Sequence, residues 1–173
     1  DHALTALLEA FSLRPDDERF ASALARLAER ADRWDELLDA YELGIAAVGD
    51  TPDALPLHRR LGRWYQQRER GEDALRHVRS VLAYTPDDKR AQRSAEALLE
   101  ALKDWRGLAA LLSERLDEKF EASERASLQA RIVRLYEDDL DAPTDALYWV
   151  AQQLLDRDEL ALHSMLDRLA ERT

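Results

Sequence analysis

Apolar residues recur along most of this chain at every third or fourth position, the spacing that gathers them on one face of an α-helix. Leu24, Leu27 and Ala31 form one such stripe, Leu98 and Leu102 a second, and Leu128, Ile132 and Leu135 a third. Long strand-like runs of Val, Ile and Thr are absent. Turn signals stand between the stripes: Arg14-Pro15-Asp16, Gly49-Asp50-Thr51-Pro52, Gly71, Thr85-Pro86-Asp87 and Ala142-Pro143-Thr144. Their aspartates and threonines suit helix N-caps, and proline suits a first helical turn. The pattern predicts ten helices, over 3–13, 17–31, 33–48, 55–69, 72–84, 87–102, 104–117, 123–139, 143–156 and 159–171. The connections are short, so neighbouring helices pack antiparallel.

The pattern also repeats. Pro15-Asp16-Asp17 is followed, nineteen residues after its proline, by Trp34, and Pro86-Asp87-Asp88 is followed at the same distance by Trp105. Both landmarks are offset by 71 residues, as are Tyr65 and Tyr136, and Ala3-Leu4 and Ala74-Leu75. Ala146-Leu147 falls 72 beyond its counterpart, which implies one inserted residue near Pro143. A unit of this length holds about four helices, or two hairpins of roughly 35 residues each.

Within that period one stretch is diagnostic. His58-x-x-Leu61-Gly62-x-x-Tyr65, followed by Ala74-x-x-x-Val78 and then Pro86, resembles the tetratricopeptide (TPR) pattern of W-x2-L-G-x2-Y, A-x3-F and P. His58 stands where Trp is usual and Val78 where Phe is usual, with every spacing kept. Gly62 and Ala74 are small enough for two helices to approach, while Leu61 and Tyr65 fill the space between neighbours. The copy at 55–88 is the best kept; elsewhere the glycine slot holds Ala25, Glu96 or Val133. Trp34 and Trp105, outside the usual pattern, also allow a half-a-TPR reading, a related repeat with its own aromatics.

The resemblance implies an all-α, right-handed superhelical solenoid of stacked antiparallel hairpins, with 1–173 as a single TPR-like repeat domain. In this register Asp1 aligns with Glu72 and Thr173 with Leu102. The expectation is therefore a piece of a longer repeat protein, cut within a hairpin at each end.

Composition narrows the chemistry. Cysteine is absent, which removes disulfides and thiolate metal sites. No stretch reaches the roughly 18 apolar residues of a membrane span, and the start does not resemble a signal peptide, so a cytoplasmic location is expected. The net charge of −11 disfavours a general nucleic-acid binder. None of His2, His58, His77 and His163 has another histidine three or four residues away, so helical metal-ligand spacing is missing. The run Glu137-Asp138-Asp139-Leu140-Asp141 lacks the alternation and glycine of an EF-hand loop and reads as a solvated helix end. No glycine-rich phosphate loop is present. Neither a catalytic site, a metal nor a cofactor is expected. Trp34 and Trp105 read as packing residues; for Trp64 and Trp149 packing and ligand contact stay open.

One stretch departs from the acidic background. Between His58 and Arg79 stand seven arginines against Glu69, Glu72 and Asp73, a local charge of +4. In TPR proteins the first helix of each hairpin lines a concave groove for partner peptides. The resemblance thus directs Arg59, Arg63, Gln66 and Gln67 into a groove, with Arg90 and Arg93 from the next first helix, Arg134 further on, and Arg19 and Arg26 before. Arginine's planar fork suits bidentate binding of carboxylates. The expected partner is a protein or peptide, acidic or with a free C-terminal carboxylate. The competing reading is that these arginines pair with carboxylates on adjacent helices. The expected function is a protein–protein interaction scaffold; the alternative is a regulatory or substrate-presenting segment of a larger enzyme. An RNA-processing scaffold is a third reading, with acidity against direct RNA contact.

Overall fold

A computed structural model describes residues 18–116, 121–156 and 160–173. The expected helix over 3–13, with His2 and the Pro15 turn, lies outside the described residues. Among the described residues there are nine α-helices and no strand. They are α1 (Glu18–Ala31), α2 (Trp34–Val48), α3 (Leu55–Gln67), α4 (Gly71–Tyr84) and α5 (Lys89–Leu102), then α6 (Trp105–Arg115), α7 (Ala122–Arg134), α8 (Pro143–Asp156) and α9 (Leu160–Ala170). A 3₁₀ turn, Pro52–Ala54, leads into α3. Two compact units divide the chain, residues 1–98 and 99–173.

In the first unit α1 packs on α2, α2 on α3, and α3 on α4. The α3/α4 pair is an antiparallel hairpin: three residues join Gln67 to Gly71, His58 meets His77 at the middle of α4, and Gly62 faces Ala74 and Val78. The apolar stripes supply the core. Leu24 and Ala28 of α1, Leu37 and Tyr41 of α2, Leu61 of α3 and Ala74 of α4 are all fully enclosed. Truncating a leucine such as Leu61 to alanine at a site like this costs about 2–5 kcal/mol. At Gly62, a Cβ would meet nothing nearer than Val78 Cγ2 at 3.4 Å. The seam is close but would take an alanine.

In the second unit α6 packs on α7, α7 on α8, and α8 on α9. Val133, Ala146, Val150, Leu162 and Leu169 form its core, with Tyr136, Trp149 and Leu166 packed against it. Each unit is built from antiparallel helical hairpins, and the described residues form an all-α fold of repeated hairpins.

The turns inside the hairpins show the repeat most directly. Asp32, Glu69, Lys103 and Asp141 all have left-handed backbone, with φ between 45° and 58°. Each sits just past a first helix, where a left-handed residue ends the helix by satisfying its last carbonyls. The next amide closes the turn: Arg33 N–H donates to Ala28 O, Arg70 N–H to Tyr65 O, and Asp104 N–H to Leu99 O, each at 2.9 Å. At the fourth turn Ala142 N–H reaches Tyr136 O at 2.8 Å, one residue further along than its counterpart. The inserted residue lies here, in the turn just before Pro143, near where it was expected. Residues 123–139, expected as one α-helix, run as α-helix to Arg134 and then widen into a π-helical turn, Leu135–Asp139. A π turn holds one residue more than an α turn, so the insertion is absorbed without disturbing α8.

Polar pairs connect successive hairpins within each unit, from α2 toward α4 in the first and between successive first helices in the second. Asp35 pairs with Arg70 at 3.3 Å, Glu42 with Arg76 at 2.7 Å, and Asp50 accepts from Tyr84 at 2.9 Å, at separations of 34 or 35 residues. In the second unit Glu100 pairs with Arg131 at 2.6 Å, Glu137 with Arg168 at 2.9 Å, and Asp141 with Arg172 at 3.2 Å, each 31 residues apart. In these pairs the carboxylate comes first and the donor follows, whereas Arg59 and Asp88 pair in the opposite order. Exposed pairs of this kind contribute little individually.

Candidate functional site: an arginine-lined cleft

The first helices of successive hairpins, α1 and α3, face each other across an open cleft of about 690 Å³. On α1 the helical period brings Arg19, Ser22 and Arg26 to the cleft, with Ala21 and Ala25 between them. On α3 the positions i, i+3, i+4 and i+7 bring Arg60, Arg63, Trp64 and Gln67 to the other wall. The small residues of α1 keep the cleft open opposite the long side chains of α3. Four arginines line it and no carboxylate does.

Arg60 is the best-anchored of the four. Only 3% of it is exposed. Its Nη1 donates to the Tyr41 hydroxyl at 3.3 Å, and its guanidinium lies 5.7 Å from the Tyr41 ring centre. Trp64 stacks edge-on against both Tyr41, at 4.8 Å, and Trp34, at 5.7 Å. Trp34 is itself fixed, with the Arg68 guanidinium 4.7 Å over its ring and its indole N–H donating to Glu29. The cleft wall is therefore a packed aromatic and cationic assembly, set before any ligand arrives. Trp34 and Trp64 pack, and Trp64 also fronts the cleft.

A second, smaller pocket of about 170 Å³ lies between α3 and the start of α5. Gly62, Val78, Val81 and Ala91 make its apolar floor, and Arg63 belongs to both pockets. On its rim Arg59 pairs with Asp88 at 3.0 Å. Asp88 caps α5, accepting from the amides of Ala91 and Arg90. The Ala91 amide first, with Arg59 assisting against the cost of burial, holds its carboxyl below the ordinary range.

The residues expected from the sequence divide as follows. Arg19, Arg26, Arg63 and Gln67 converge on the first cleft, and Arg59, Arg63 and Arg90 on the second. Gln66 accepts from Ser94 at 3.4 Å, and Arg93 Nε donates to the backbone oxygen of Lys89 at 3.2 Å. Arg134 lies exposed on α7 in the other unit. Arg26, Arg90 and Arg134 have no ion-pair partner among the described residues, whereas Arg68, Arg70 and Arg76 are engaged with carboxylates. Turn and second-helix arginines Arg68, Arg70 and Arg76 pair with carboxylates, as do the first-helix Arg59 and Arg131. Arg19, Arg26, Arg60 and Arg63 line the first cleft. Arg60 is the residue that sequence spacing left out. The signal was its i, i+4, i+7 relation to Trp64 and Gln67.

No protein-family model and no curated protein matches the chain. Among solved structures it is similar to the nearly identical TPR-like repeats of a Podosopora anserina protein provisionally named a kinesin light chain, at 18% identity and a TM-score of 0.44. That match covers 91% of this chain and 87% of the other. A point variant of the same protein matches at 17% identity and a TM-score of 0.43, over 91% and 86% of the two chains.

Among the described residues no group of three or more histidines and carboxylates is placed to hold a metal. No helix there is long and apolar enough to cross a membrane.

Proposed function

We propose that this chain is a protein-interaction module whose α1/α3 cleft receives an acidic segment, or a free C-terminal carboxylate, of a partner protein. One observation carries the reading: among the described residues four arginines and no carboxylate line the cleft, in a chain whose net charge is −11. An anion there meets planar forks able to bind each carboxylate through two hydrogen bonds. Arg60 serves as the fixed charge, because its packing on Tyr41 leaves little side-chain freedom to lose on binding. Trp64 and the alanines of α1 offer apolar surface to the peptide backbone and to side-chain stems. Arg63 carries the segment on toward the second pocket.

The test is fluorescence polarisation with an Asp- and Glu-rich peptide, its C-terminally amidated form and a neutral analogue. Each is titrated with the wild type and with the Arg26→Glu/Arg63→Glu double variant. Arg60 is left in place because it supports Tyr41. The acidic peptide should bind the variant at least tenfold more weakly, since each charge-assisted hydrogen bond is worth about 1.5–3 kcal/mol. Equal affinity for both proteins, with unchanged helicity, would sink the proposal. Tighter binding to a single-stranded RNA than to the acidic peptide would redirect it to nucleic acid.

A further inference from the structure

Behind the cleft, the first unit contains a buried polar chain that anion binding does not use. His58 on α3 and His77 on α4 face one another with their Nδ1 atoms 2.9 Å apart. They are 8% and 1% exposed. His77 Nε2 lies 3.0 Å from Glu42 Oε1 on α2. The same carboxylate accepts from the Tyr65 hydroxyl at 3.0 Å and from Arg76 at 2.7 Å. The Tyr65 ring stacks on His77, nearly parallel at 5.4 Å. This chain joins α2 of one hairpin to both helices of the next.

Its protons can be assigned by counting donors and acceptors. Burial alone would raise the pKa of Glu42, but Arg76 and the other donors outweigh it and hold the group below the ordinary range, so it is a carboxylate near neutrality. A carboxylate only accepts, so His77 presents Nε2–H to it. Neutral His77 then has a bare Nδ1, which must accept, and His58 must supply Nδ1–H. One added proton fits on His58 Nε2 with both hydrogen bonds kept. A second does not. It puts N–H against N–H across the 2.9 Å gap and two positive charges side by side.

We infer that the His58–His77 pair is a two-proton lock on the α2–α3–α4 junction, closed with none or one proton bound and forced open by the second. The surrounding charges are mixed. Glu42 from α2 and Asp50 from the following turn favour protonation, Arg76 of α4 opposes it, and Asp73 is committed to Arg76. Tyr65 of α3 is bound to Glu42, and Tyr84 of α4 to Asp50. Burial outweighs the favourable charges at both histidines and lowers both pKa values. The sign follows. The unfolded chain takes protons near pH 6.5 that the folded pair refuses, so stability present above that pH is lost as pH falls below it.

The experiment is chemical denaturation of the whole chain at pH 6.5 and 5.5, for wild type and His58→Asn. Each proton refused by the folded state lowers the folding equilibrium constant about fivefold over that unit, and two lower it about thirtyfold. The asparagine amide can donate to or accept from His77, so the variant accommodates a proton that the pair excludes. Wild type should lose about fivefold more across this range than His58→Asn. Equal losses in the two proteins overturn the lock. Nitrogen-15 NMR of the wild type tests it without any substitution. At neutral pH one buried imidazole should carry its proton on Nδ1 and the other on Nε2; both on Nε2 overturns it.

Discussion

Replacing Glu69 or Lys103 by glycine should stabilise the protein although each change only removes atoms. Both residues hold left-handed backbone, with φ of 58° and 56°. An L-residue pays about 1–2 kcal/mol to sit there, while glycine loses roughly 0.5–1 kcal/mol more conformational entropy on folding. The difference leaves a net gain of about 0.5–1 kcal/mol per site. Both side chains are exposed, and no hydrogen bond or ion pair of theirs offsets the gain. Glu69 should gain more than Lys103, because a carboxylate at a helix C-terminus opposes the helix dipole and a lysine complements it. Each turn belongs to its own unit, so the gains should add in the double variant. For a chain of this size a gain of about 1 kcal/mol raises Tm by roughly 2–4 °C. Thermal and urea denaturation by circular dichroism measure both quantities. Ala97→Gly, at an exposed position inside α5, is the control and should cost about 1 kcal/mol. If all three variants are destabilised alike, the conformational argument is wrong.

Gly107→Ala should go the other way: an added Cβ would lie 2.9 Å from Leu99 Cδ2 and crowd the Asp104 carboxylate that caps α6. Losing that cap costs about 1 kcal/mol by urea denaturation. Gly62→Ala should be neutral or stabilising by up to about 1 kcal/mol, because the methyl meets only ordinary contacts and alanine favours the helix; a loss above that size would mean that the α3/α4 seam is tighter than described. Burial first, and then the Glu42 carboxylate, push the Tyr65 phenol up to about 12. Its folded pKa is above the ordinary value near 10, so its contribution is full below pH 10 and lost as pH rises toward 12. Absorbance titration should show a late tyrosinate step that Tyr65→Phe abolishes.

Much of this was legible in the sequence. The stripes gave the helices and the 71-residue offset gave the repeat, because burial on one helix face demands both kinds of periodicity. That first-helix arginines front a groove was an expectation from the resemblance, and Arg19, Arg26 and Arg63 do line a cleft. The place of Arg60 on the cleft face could be read from its spacing to Trp64 and Gln67, but its anchoring could not: Tyr41 lies nineteen residues away in another helix. The His58–His77 bridge escaped for the same reason. A search for helical metal spacing looks three or four residues along one helix, whereas these rings meet across two. The insertion was counted and placed near Pro143, but its form was not legible, because a π turn can absorb a residue in a helix with no unusual residue to mark it.

Most ion pairs between hairpins put the carboxylate on the earlier element and the arginine on the later one, with Arg59–Asp88 running the other way. Within each unit this bias gives a joint a polarity, like a coupling with distinct front and back. Two like faces brought together would set acid against acid, a small penalty for exposed charges that adds to the mismatch in packing. An added hairpin would suit a joint where it brought both halves of the coupling.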